Sequence, residues 1–180
     1  MDALQAIEQR KSVRRYAATP VEDGKLEAVL KAAGSAPKAG AFHIAVTLNP
    51  DLLREINDKT LAYMRNSGNA FLVSRANLPG YQPLYGAPVL LLFSAPAENP
   101  YGVANASNAA TSAAIAATAV GLGSCYVGSP ILSLAEERAL FDKLPFPEGF
   151  RPLCGLLLGY GEGEAFAAPK EPFTNIAYCR

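Results

Sequence analysis

The chain has 180 residues, half of them hydrophobic and 18% charged, with 15 Gly and 14 Pro, so one well-filled core and a single domain over residues 1–180 are expected. Sixteen Lys plus Arg balance sixteen Asp plus Glu, which excludes a broadly basic nucleic-acid surface or a polybasic membrane patch and leaves any basic site local. The single histidine, His43, excludes zinc sites built on two or three imidazoles, and three cysteines without a C-x-x-C pair argue for a reducing cytoplasm rather than a disulfide framework.

The N-terminus lacks a basic region followed by an apolar stretch, so no secretory signal is expected. Residues 2–9 read as a short helix with Leu4 and Ile7 on one face, running into Arg10-Lys11-Ser12-Val13-Arg14-Arg15. Thr19-Pro20-Val21-Glu22 reads as a capping box with proline at the first helical position, and Leu26, Val29, Leu30 and Ala33 then keep the 3.6-residue period until Gly34. Residues 43–48 form a short β-type run, and Asn49-Pro50 opens a helix carrying Leu52, Leu53 and Ile56. Residues 66–86 show no clean period, and their glycines and prolines predict a loop or short helix over a site.

Residues 87–93 and 153–158 are continuous apolar runs, as expected of strands covered on both faces. Between them, residues 104–120 form an alanine-rich helix whose neighbours must approach closely around most of its circumference, which suits a central helix shared with a second subunit. No charge occurs from Asn99 to Ala135, yet Gly121, Gly123, Gly128 and Pro130 break the stretch, so a membrane span is not expected. Residues 124–127 read as a strand, and Ser133-Leu134-Ala135-Glu136 as the cap of a last helix ending before Pro145. Uneven interleaving favours an α+β fold, with a mixed, mainly antiparallel central sheet flanked by helices.

Chemistry-bearing groups are few. Arg10, Lys11, Arg14 and Arg15 with Ser12 suit a phosphate, whose oxygens accept from guanidinium forks and hydroxyls; alternatively, these cations offset a helix macrodipole in water. Gly159-Tyr160-Gly161-Glu162-Gly163 follows a strand but lacks the helix and second strand of a dinucleotide fold, and no P-loop sequence occurs. Gly121 to Gly128 either lets backbone approach a ligand or simply stops a helix. Cys125 with its apolar flanks reads as a core thiol, His43 as a core or surface imidazole, and Glu136-Glu137 as a solvated face. With no acid, base, metal or nucleophile set, any chemistry must come from a cofactor.

Taken together, Arg10-Lys11-Ser12-Val13-Arg14-Arg15-Tyr16, Pro20-Val21, Ala36-Pro37, Gly86-Ala87-Pro88-Val89, the small-residue helix into Gly121-Leu122-Gly123-Ser124-Cys125-Tyr126-Val127-Gly128, Leu158-Gly159-Tyr160 and Pro169-Lys170 resemble the FMN-dependent nitroreductase family in order and spacing. The resemblance implies a homodimer with flavin sites at its interface, passing two electrons from NADH or NADPH through FMN to a nitroaromatic, quinone or similar small acceptor. It implies that Arg10, Lys11, Ser12 and Arg14 hold the phosphate and ribityl end, with Lys170 as a further cation. Ser35, Pro37, Lys38 and Ala39 would meet the flavin from the partner subunit, and Tyr126, Val127 and Gly128 would line the ring edge. The family's usual Asn and Gln-Pro-Trp after Ala36-Pro37 are replaced by Lys38-Ala39-Gly40-Ala41-Phe42-His43-Ile44, and the tail has Lys170-Glu171 where many members have two cations. A non-catalytic flavin carrier on the same scaffold and a phosphoanion-binding regulatory domain are the competing readings.

Overall fold

The computed structural model describes residues 1–162 and 174–179; Lys170 lies outside them. Helix α1 (Ala3–Gln9) starts at Asp2, whose carboxylate accepts from the Gln5 N–H at 2.9 Å while Gln5 Oε1 accepts from the Asp2 N–H at 3.2 Å. Then follow α2 (Asp23–Gly34), β1 (His43–Thr47), α3 (Pro50–Asn66), α4 (Ala70–Ala76), β2 (Val89–Pro96) and α5 (Gly102–Ala119). The chain continues through β3 (Gly123–Val127), α6 (Ser129–Glu136), α7 (Arg138–Phe141) and β4 (Phe150–Gly159).

The strands form one sheet in the order β1-β2-β4-β3, every pair antiparallel; the parallel element is an isolated bridge between Ser12 and Ser124. The sheet lies between two helical layers, which explains the uninterrupted apolar runs of its two central strands. On one side Leu91, Phe93, Cys154, Leu156 and Leu158 pack with α2 and α5. On the other, Leu90, Leu92 and Leu157 pack with Leu53 and Ile56 of α3, Leu134 of α6 and Leu140 of α7. The alternation follows from the two-residue period of a strand.

Alanines 106, 109, 110, 113, 114 and 117 of α5 are buried, and their small side chains let α2 and the sheet close on the helix. Within one chain only that face is covered. Val103, Ala104, Asn108 and Thr111 are exposed, together with Leu4 and Ile7 of the adjacent α1.

Two expected helix starts move. Glu22, not Thr19, is the N-cap of α2, because its carboxylate accepts from the Tyr160 hydroxyl at 2.5 Å and pairs with Lys25 at 3.4 Å instead of folding back onto Thr19. Ser133 lies inside α6, where its hydroxyl lies 2.9 Å from Thr60 Oγ1 and donates to the Pro130 carbonyl at 3.0 Å; the helix begins at Ser129, and a break at Glu137 separates it from α7. The aperiodic stretch after α3 contains α4, capped by Asn69. No described helix is long and apolar enough to cross a membrane.

Candidate functional site

Residues 10–17 leave α1 as an extended segment laid along the sheet edge. The Val13 N–H donates to the Ser124 carbonyl at 2.9 Å, the Ala17 N–H to that of Tyr160 at 2.8 Å, and the Glu162 N–H to that of Arg15 at 3.0 Å. Val13 and Tyr16 turn into the core while Lys11, Arg14 and Arg15 face solvent. This contact depends on missing side chains. A Cβ on Gly123 would stand 2.7 Å from Val13 Cγ2, and one on Gly159 would stand 2.6 Å from Pro88 Cδ and 2.9 Å from Tyr16 Cδ1.

Arg15 pairs with Glu162 at 3.1 Å, whereas Arg10, Lys11 and Arg14 have no carboxylate partner among the described residues. Arg10 is the C-cap of α1 and Lys11 follows it, whereas Arg14 lies four residues past the cap, so offsetting the helix end does not account for Arg14.

Arg14 lines a cleft of about 330 Å³ together with Tyr126, Val127 and Gly128. Tyr126 and Val127 end β3, and Gly128 caps α6 with no atom within 4 Å of where a Cβ would stand. The Tyr126 hydroxyl is pushed up to about 12 by burial, reinforced by Cys154. Beneath the cleft, burial raises the Cys125 thiol against the opposing pull of Arg14, Ser12 and Arg10. Burial also raises Tyr16, aided by Cys125 and Tyr85. The Tyr16 hydroxyl has no hydrogen-bond partner among the described residues.

The third wall comes from the 66–86 stretch expected to lie over a site, although none of its residues was singled out in the sequence. Arg75, at the end of α4, donates through Nη2 to the Tyr85 hydroxyl at 3.3 Å and lies 5.2 Å over the Tyr81 ring. Tyr85 sits at φ 53° and Gly86 at φ 75°, and the preceding turn is fixed by the Leu84 N–H donating to Asn57 Oδ1 at 3.1 Å. One signal was available in sequence, since Arg75 is the only charged residue from Asn66 to Ala97.

Ser35, Pro37, Lys38 and Ala39 lie elsewhere, exposed at the end of α2 and bound to α5. Asn105 exchanges two hydrogen bonds with Ala39, accepting from its N–H at 3.0 Å and donating to its carbonyl at 2.8 Å, while Asn108 donates to the Pro37 carbonyl at 3.2 Å. Lys38 donates to the Gly34 carbonyl at 2.6 Å and Ser35 to that of Lys31 at 2.8 Å, so both cap their own helix. Neither Asn105 nor Asn108 had signalled this positioning role in sequence.

The Nitroreductase family pattern matches residues 7–160, from the last turn of α1 to the residue after β4. The chain belongs to the nitroreductase family. A nitroreductase with bound FMN from Desulfitobacterium hafniense is 26% identical, covers both chains over 100% of their length and superposes with a TM-score of 0.91. One with bound FMN from Bacteroides fragilis is 24% identical, with the same coverage and a TM-score of 0.89, a likeness of fold. A protein of Archaeoglobus fulgidus provisionally named NADH dehydrogenase/NAD(P)H nitroreductase is 29% identical over 171 residues, 91% of this chain and 87% of that one.

Within this nitroreductase fold the remaining motifs take structural roles. Gly121, at φ 80°, stops α5, and the space left by Gly123 is filled by Val13 rather than by a ligand. His43 Nε2 lies 2.8 Å from the Pro145 carbonyl, and Glu137 pairs with Lys59 at 3.2 Å. No group of three metal-ligating side chains occurs among the described residues.

Proposed function

We propose that this protein is an FMN-dependent oxidoreductase that passes two electrons from NADH or NADPH to a small aromatic acceptor, working as a homodimer. The observation that carries the reading is the set of cations at Arg10, Lys11 and Arg14, without carboxylate partners among the described residues, of which Arg14 lines a cleft shared with the open main chain at Gly128. These residues fit a phosphorylated flavin: three cations and the Ser12 hydroxyl match phosphate and ribityl oxygens. Lys170 is proposed as a further contact. When bound, FMN supplies hydride acceptance and donation, chemistry that no side chain of this chain provides.

The chain's own groups bind and orient. Arg10, Lys11, Ser12 and Arg14 hold the anionic end, and the backbone of Tyr126, Val127 and Gly128 offers donors along the edge where negative charge develops. Ser35, Pro37 and Ala39 are assigned to the partner subunit's site; Asn105 holds Ala39 and Asn108 holds Pro37 against α5, and Ser35 caps α2 just before them. Lys38 joins that set only by releasing the Gly34 carbonyl. Support for the dimer comes from the uncharged exposed face of α5, with Val103 65% exposed, and from Leu4, 73% exposed, on the adjacent α1.

The test is an absorption spectrum of the purified protein, then anaerobic addition of NADH and of NADPH. A flavin spectrum that bleaches is expected. A flavin-loaded protein bleached by neither reductant, or a colourless protein that FMN does not reconstitute, overturns the reading.

A further inference from the structure

Among the described residues two cations line the cleft, Arg14 and Arg75. Arg14 is assigned with Arg10 and Lys11 to the flavin's phosphate end, which leaves Arg75 without a carboxylate among the described residues. Its guanidinium offers five N–H donors, of which the Tyr85 hydroxyl takes one. It also lies over the face of Tyr81. No acidic side chain lines the cleft among the described residues, and the first residue of α6, Ser129, brings the positive end of that helix into it.

Aromatic surface accompanies this charge. The Tyr81 and Tyr85 rings meet edge to face with centroids 5.9 Å apart, and Phe71, 69% exposed, stands at the rim. Tyr85 is held at φ 53°, a strained backbone for a bulky side chain, directly beside the guanidinium it orients. The part of the lining not assigned to the flavin, Phe71, Arg75, Tyr81 and Tyr85, joins one guanidinium to three aromatic rings.

We propose that Arg75, oriented by Tyr81 and Tyr85, selects acceptors in which an aromatic ring carries a carboxylate or similar anionic group. The inference rests on the flavin-reductase reading for turnover but not for binding. A planar guanidinium pairs with a carboxylate through two parallel hydrogen bonds, and the rings beside it stack on the acceptor. Arg75 therefore acts as a binding residue for the acceptor and takes no part in electron transfer.

The experiment compares 4-nitrobenzoate with its neutral isostere 4-nitrobenzamide, on the flavin-loaded wild type, R75Q and R75K. The expected result is a wild-type preference for the carboxylate that falls about tenfold in R75Q, mainly through KM, and recovers in part in R75K, as loss of one charge-assisted partner implies. An equal loss on both acceptors, a loss of flavin retention in R75Q, or a changed KM for NADPH alone overturns the proposal and places Arg75 on the scaffold, the flavin or the dinucleotide. Equilibrium dialysis of the same two compounds reads the same ratio without turnover. A silent enzyme that still prefers the carboxylate through Arg75 would defeat the electron-transfer reading and leave this one standing. If R75Q fails to fold, Y85F, which removes the orienting hydroxyl, is expected to lower the preference in the same direction; an unchanged ratio there overturns the proposal.

Discussion

Helix α5 and the extended segment 10–17 are both seated by the absence of side-chain bulk, yet they serve different ends. In α5 the small residues are the helix's own, alanines that bring the sheet and α2 close on one face and leave no charge near it. In the segment the small residues belong to its neighbours, Gly123 and Gly159, which receive Val13 and Tyr16 while alternate positions put cations outside. Small residues inside an element fix the fold, whereas small residues opposite an element let it carry large polar side chains outward. On the proposed assignment of the flavin phosphate to this segment, stability and cofactor retention are separable between the two regions.

Ala113→Glu breaks the comparison most severely. Ala113 is fully buried, and an unpaired carboxylate there is expected to cost about 3–5 kcal/mol or prevent folding, read as loss of the cooperative urea transition. Arg10→Ala should leave that transition near its wild-type midpoint while weakening FMN retention by about 1.5–3 kcal/mol, roughly 10- to 150-fold, measured by ultrafiltration of the loaded protein. Gly123→Ala joins the two effects. Its Cβ meets the stiff Val13 side chain, so a stability loss of about 1–3 kcal/mol with weaker FMN binding is expected, and Val13→Ala in the same chain should restore part of both.

The mildest perturbation is pH. Burial pushes the Cys154 thiol, on the α5 side of the sheet, up to about 11 from an ordinary value near 9. Folding thus favours the neutral thiol; this contribution is complete below about pH 9 and is lost as pH rises toward about 11. Urea midpoints across that range should fall, and Cys154→Ala should remove the first part of the fall. A decline that starts only above about pH 10 would assign it to tyrosines such as Tyr126 instead.

Legibility in the sequence followed locality. The runs at 87–93 and 153–158 announced the central strands because helices cover both faces of the sheet, and the alanines announced α5 because their smallness has one packing explanation. The start of α2 was misread because its cap is decided by Tyr160, 138 residues from Glu22. The basic segment and the Tyr126–Gly128 turn were readable as short motifs, but their meeting across one cleft is not written in either. Arg75 escaped because α4 is a seven-residue helix with no clear period, set by the Asn69 cap and by contacts with distant tyrosines. Size was no guide either, since a cleft of about 720 Å³ between Pro20, Pro50 and Pro88 holds none of the predicted site residues.

The position of β4 sets an order of assembly on the ribosome. It is the last strand made, yet it lies between β2 and β3, so β2 keeps a bare edge until residues 150–159 emerge. Only then do Gly159 and Gly161 arrive to receive Tyr16 and Val13, which were synthesised near the start. The basic segment is thus among the first parts translated and among the last to dock, and a nascent chain halted before β4 exposes an aggregation-prone edge while lacking the groove that seats its basic arm.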